Sequence, residues 1–199
     1  MRLRTGFGLA FLLVSMTSLW ADTFGQGFSG YTVTVLPQPQ VPVSFGALTM
    51  NPGSDDELIL GAGSGGSSAT FYRLVVQRDS SGHIIGFNGP PAIFATAPKL
   101  DSGAAFGPQG YFAYTIESGS GGVDIGSMAP GSLVTTRTAN VVAETPGSLN
   151  FVPPHFPGAG QLKILTNSGK FYSLDHGLDG SWNHCGKCHV AGDLAGGQR

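Results

Sequence analysis

The chain has 199 residues, a formal net charge of −2, 11% charged residues and 32 glycines. Its charges are scattered without a basic stripe, which excludes the clustered Lys/Arg that phosphate neutralisation in nucleic-acid binding requires. At 41% hydrophobic residues the chain is not of disordered composition, and low charge with abundant Gly, Val, Phe and Thr describes a β protein rich in tight turns.

The first 21 residues read as a secretory leader. Arg2 and Arg4 give a positive start, Phe7 to Trp20 is largely apolar, and Ala21 offers a small residue for cleavage before Asp22. The apolar stretch is short for a transmembrane helix, which needs about 20 residues, so no stable membrane span is expected after removal of the leader. An exported protein, periplasmic or extracellular, is the expectation. Residues 22–180 then read as one β domain, and 181–199 as a Cys/His tail.

Within the domain no amphipathic helical period stands out. Short β runs recur at Tyr31–Val35, Glu57–Leu60, Thr70–Gln77, His83–Phe87, Tyr111–Ile116, Gln161–Thr166 and Lys170–Leu174. Turn residues separate them: Asn51-Pro52-Gly53, Asp79–Gly82, Asn88–Pro91, Gly107–Gly110 and Asn167-Ser168-Gly169. This punctuation predicts a sandwich, barrel or propeller. A weak internal repeat points to the propeller. Three segments, Gly46–Pro52, Ser102–Pro108 and Gly147–Pro153, each precede an apolar strand. Pro52, Pro108 and Pro153 thereby mark units of roughly blade length, about 40–50 residues.

Residues 47–174 resemble exported bacterial NHL-like β-propeller proteins, including the PEP-CTERM type. The resemblance rests on Gly103-Ala104-Ala105-Phe106-Gly107-Pro108-Gln109-Gly110 and on the run Phe151 to Lys163. It implies an all-β, partial or small propeller-like array of antiparallel strands with an irregular C-terminal tail, and export. It carries no catalytic residues. A closed propeller has four to eight blades, whereas three or four are counted here. Early termination of a longer chain and closure by oligomerisation are both open at this point. Gluconolactonase-like propeller hydrolases place carboxylates and an Asn around a metal. Asn51, Asn140, Asn150, Asp101 and Glu144 are of the right type, but no spacing joins them and no catalytic residue is assigned.

The sharpest motif is His184-Cys185-Gly186-Lys187-Cys188-His189. Cys185, Cys188 and His189 fit the C-x-x-C-H pattern of c-type haem attachment. Two thiols at that spacing reach the two vinyl groups of one haem, and the adjacent imidazole ligates the iron. The chain holds 2 cysteines in all, and both are in the motif. Export agrees with it, because c haem is attached outside the cytoplasm. The tail resembles the opening of a small cytochrome c domain. That resemblance implies haem c as cofactor, His189 as metal ligand and a redox partner. A sixth iron ligand would come from Met50, Met128, His155, His176 or His184, or be absent. Other readings are a CxxC disulfide or redox site, a Zn²⁺ site including His184, or a remnant. In those cases the protein is an exported, non-enzymatic module binding a protein or glycan.

Two weaker motifs have simple readings. Gly61-Ala62-Gly63-Ser64-Gly65-Gly66 matches G-x-G-x-x-G, but a strand rather than a helix is expected after it, so it reads as a hairpin loop. Asp55-Asp56-Glu57 offers carboxylates for Ca²⁺ but lacks EF-hand spacing, so it reads as a solvated turn.

Overall fold

Among the described residues, eleven strands form three antiparallel sheets in chain order. The computed structural model describes residues 35–117, 123–142 and 144–174. The chain divides into two units, Met1–Val35 and Leu36–Arg199, and the sheets belong to the second. The first sheet holds β1 (Ala47–Met50), β2 (Glu57–Ala62), β3 (Thr70–Arg78) and β4 (Ile84–Thr96). The second holds β5 (Leu100–Phe106), β6 (Phe112–Glu117), β7 (Val123–Met128) and β8 (Thr136–Val142). The third holds β9 (Pro146–Phe151), β10 (Leu162–Thr166) and β11 (Phe171–Leu174). Each sheet is an up-and-down meander of sequential neighbours, and none closes into a barrel. This is the all-β, partial propeller-like array expected from the sequence.

The three sheets repeat in register. In the first, Met50, Leu58 and Leu74 stand opposite one another across three strands. The equivalent rows are Phe106, Phe112 and Met128 in the second sheet and Phe151, Leu162 and Leu174 in the third. Each row starts two residues before one of the repeat prolines, Pro52, Pro108 and Pro153. The sequence repeat is therefore a repeat of strand pairing.

Strand alternation then gives each sheet two faces. We call the face that carries these rows the back, and the opposite one the front. The front of the first sheet (Ala47, Ile59, Phe71, Ala95) packs on the back of the second (Ala104, Phe112, Tyr114, Ile116, Met128). The front of the second (Ala105, Ala113, Ile125) packs on the back of the third (Leu149, Phe151, Leu162, Ile164, Leu174). Burying side chains of this size contributes about 1.5–3 kcal/mol each, so the array is held by these two junctions.

Two local features depart from the sequence reading. Asn88–Pro91, expected as a turn, lies inside β4. Its neighbours pair normally with β3, Asn88 with Val75 and Ala92 with Arg73, and the extra residues are taken up in a bulge. β4 is the outer strand of its sheet, where proline's missing donor is tolerated, and Gly89 takes a left-handed φ of 71° there. Strands β7 and β8 were not anticipated. Of the expected strands, Tyr31–Val35 falls outside the described residues except for Val35, which is not in a strand.

Candidate functional site

Cys185, Cys188, His189 and His184 lie outside the described residues, as do His176 and the leader. Met128 is 1% exposed in the first junction, so its thioether is committed to the core. Met50 lies on β1 at the back of the first sheet, partly exposed. His155 sits exposed in the loop between β9 and β10, with a left-handed φ of 75°.

That loop borders a groove on the third sheet. Its volume is about 410 Å³, and its walls include Val152, Pro153, Phe156, Pro157 and Phe171, with Asn150 and Lys163 as polar members. The Lys163 ammonium donates to Ser173 Oγ at 2.7 Å and to Gln161 Oε1 at 2.9 Å. The groove thus combines an apolar, aromatic wall with one hydrogen-bonded cation. A second groove, about 380 Å³, lies between the segment Pro37–Gln40 and the Gly89–Pro91 bulge of β4.

The glycine-rich motif is a hairpin loop, as expected: β2 ends at Ala62 and β3 starts at Thr70. Its polar groups tie the first sheet to the second. Ser64 Oγ lies 2.9 Å from the Asp101 carbonyl and 3.1 Å from that of Leu100, and Gly65 N donates to Leu100 O at 2.8 Å. The hydroxyl within the G-x-G-x-x-G pattern is thereby spent on sheet-to-sheet contact. Above it, burial together with the nearby Glu117 charge raises the Asp101 carboxyl above its ordinary value.

The acidic turn is likewise engaged. Asp56 accepts from Arg78 Nε at 3.1 Å, and Glu57 accepts from Asn51 Nδ2 at 2.7 Å with Arg73 at 3.5 Å. Among the described residues no group of three or more His, Cys, Asp or Glu is placed to hold a metal ion.

Glu144 is far from Asp101 in role. It accepts from Lys170 Nζ, Ser168 Oγ and Thr166 Oγ1, closing the loop before β9 onto the β10–β11 hairpin. The Lys170 hydrogen bond, with that of Ser168, pulls its carboxyl down to about 2. Asn150 Oδ1 accepts from Phe151 N at 2.8 Å. Of the hydrolase-type residues, Asn51, Asn150 and Glu144 are thus bonded to local partners; Asn140 is in β8, and its side chain is not described.

One structural side chain escaped the sequence reading. Thr115 Oγ1 accepts from Ser102 N at 3.1 Å and Gly103 N at 3.0 Å, inside a bulge where β5 skips between Leu100 and Ala104. The hydroxyl replaces the ladder partners those buried donors would otherwise lack. Nothing in the local sequence flags it, because the need arises only from the pairing of two strands.

Among the described residues no helix is long and apolar enough to cross a membrane. No protein-family model matches this chain, and neither a curated protein nor a solved structure does.

Proposed function

We propose that the chain is an exported β-propeller-like protein that carries one covalent c-type haem, used for electron transfer or sensing. The observation that carries this reading is the donor set Cys185, Cys188 and His189. Two thiols three residues apart and an adjacent imidazole suit two thioether bonds and one iron ligand. The cofactor would supply one-electron redox chemistry or a ligand-sensing iron. The protein's own part would be to hold it: Cys185 and Cys188 would anchor the macrocycle, and His189 would donate to the metal. The tail begins a few residues after β11 in sequence, and in this reading the array is the body that presents it to a redox partner.

The test is the double variant Cys185→Ser, Cys188→Ser, made in a host with c-type maturation. The reading requires wild-type protein to keep haem through acid–acetone extraction and the double variant to lose it. Equal retention by both would sink it.

A second reading is favoured by the groove on the third sheet and by Leu48 and Ile93, exposed on the two edge strands of the first. In it the protein is a non-enzymatic exported binding or scaffolding module, and its Cys/His tail is a disulfide, a metal site or a remnant. Partner binding that survives deletion of residues 181–199 supports this second reading.

A further inference from the structure

The second strand of each sheet puts one residue at the same register position on the front. Ile59 stands opposite Thr49 and Arg73, Ala113 opposite Ala105 and Ser127, and Lys163 opposite Asn150 and Ser173. Ile59 and Ala113 are each 0% exposed and belong to the two internal junctions. The third sheet has an ammonium there instead, in the groove that Phe156 and Phe171 also line.

That ammonium is held in place. Lys163 Nζ donates to Ser173 Oγ and to Gln161 Oε1, and Ser173 Oγ donates to the same Gln161 oxygen at 3.2 Å, which closes a triangle. Gln161 is fixed in turn by the β9–β10 loop. Gly160 N donates to Val152 O and Val152 N to Gln161 O, each at 2.9 Å, and a Cβ on Gly158 would sit 2.6 Å from Gln161 Oε1. An ammonium has three donors, and the triangle uses two. Among the described residues no carboxylate pairs with Lys163. Asn150 accepts from Phe151 N through its Oδ1 and keeps its Nδ2 as a second donor at the groove. A lysine that only keeps an end face wet needs no such positioning.

We propose that this groove is a binding site for a small free carboxylic acid with an apolar, aromatic body. The carboxylate takes the third Lys163 donor and Asn150 Nδ2 in charge-assisted hydrogen bonds, and the body lies against Phe156, Phe171 and Pro153. Charge complementarity selects an anion. The apolar wall selects an organic one, because it offers nothing to replace the water lost by a fully hydrated inorganic anion. The volume of about 410 Å³ lies in the range of small-molecule sites, about 300–1,000 Å³ with mostly apolar walls and few polar groups, and so fits a free acid. The inference does not rest on the haem reading.

The experiment is calorimetric titration of the exported full-length chain with naphthalene-2-acetate, beside its neutral amide, naphthalene-2-acetamide, which has the same body. The acid is expected to bind saturably and about tenfold or more tighter than the amide, the difference of one hydrogen-bonded charge. Lys163→Met should remove that preference and leave the amide's affinity unchanged. Phe156 is 63% exposed, so Phe156→Ala keeps the fold, and it should weaken acid and amide alike by about threefold to tenfold. Circular dichroism checks that both variants are folded, and if Lys163→Met is not, Phe156→Ala and the amide still decide. No saturable binding of the acid overturns the proposal. Equal affinity for acid and amide overturns it too, since the groove is then only an apolar patch. So does a tripeptide ending in phenylalanine with a free carboxylate, if it binds about tenfold tighter than the acid, because the groove then takes a chain end.

Discussion

The two internal junctions share a strand register and differ in what fills it. The first is aromatic. Phe112 lies with ring centroids 4.9 Å from Phe71, 5.6 Å from Phe94 and 4.7 Å from Phe106, and Phe71 meets Tyr114 edge-on at 5.3 Å. The second is small on one side, Ala105, Ala113 and Ile125, and mainly aliphatic on the other, Leu149, Leu162, Ile164 and Leu174 beside the ring of Phe151. Volume is traded across each junction, and glycine takes up the difference. A Cβ on Gly126 would sit 2.3 Å from the Tyr114 ring, and one on Gly103 would sit 2.7 Å from Leu149 N. The lesson is that the repeat fixes backbone pairing, while each junction solves its packing separately.

The largest expected effect lies in the aromatic junction. Phe112→Ala removes three ring contacts and leaves a cavity, and should lower unfolding free energy by about 3–5 kcal/mol. The conservative Ile125→Val in the second junction should cost about 0.5–1.5 kcal/mol. Urea titrations of the two variants measure the difference, and equal losses would break the contrast between the junctions.

Overpacking probes the same comparison from the other side. Gly126→Ala forces a methyl into the Tyr114 ring and should cost about 1–3 kcal/mol. Thermal melts of Gly126→Ala and Gly131→Ala separate this clash from strain alone: Gly131 has a left-handed φ of 73° with nothing near its Cβ, so only the first variant should perturb near-ultraviolet tyrosine signals.

The Thr115 bulge is a sharper and smaller test. Thr115→Val keeps the shape of a fully buried side chain but withdraws the acceptor from two backbone donors. A loss of about 1–3 kcal/mol is expected, with faster hydrogen exchange at Ser102 and Gly103.

The smallest effect is electrostatic and belongs to the third sheet. The Glu144 carboxyl is held at about 2, below its ordinary 4.5. A depressed acid stabilises the fold above the unfolded value, and that contribution fades as pH falls from about 4.5 toward 2. Glu144→Gln should remove this part of the acid dependence while leaving the first two sheets' hydrogen exchange unchanged. Denaturation measured at several pH values in that window checks it.

Much of the array could be read from residue order. β2, β3, β6, β10 and β11 follow runs of β-branched and aromatic residues, and the proline-marked repeat proved to be the pairing register. What escaped detection had tertiary causes. β7 reads Val123-Asp124-Ile125-Gly126-Ser127-Met128, in which Asp124 and Gly126 are poor strand formers. Gly126 is needed under Tyr114, and Asp124 is 1% exposed, so packing overrides propensity there. β4 carries Pro90 and Pro91 because an outer strand can bulge around them. The candidate site was legible only as a motif. Cys185, Cys188 and His189 announce their chemistry by spacing, whereas the groove around Phe171 and Lys163 depends on which face of β10 and β11 is left open.

The most direct measurement on the central claim is an absorption spectrum. The precursor is expressed with c-type maturation, purified, denatured and reduced in alkaline pyridine. The account predicts haem that stays with the polypeptide and gives the α-band of a thioether-linked c haem. A colourless polypeptide, from cells in which a control cytochrome c matures, would contradict it.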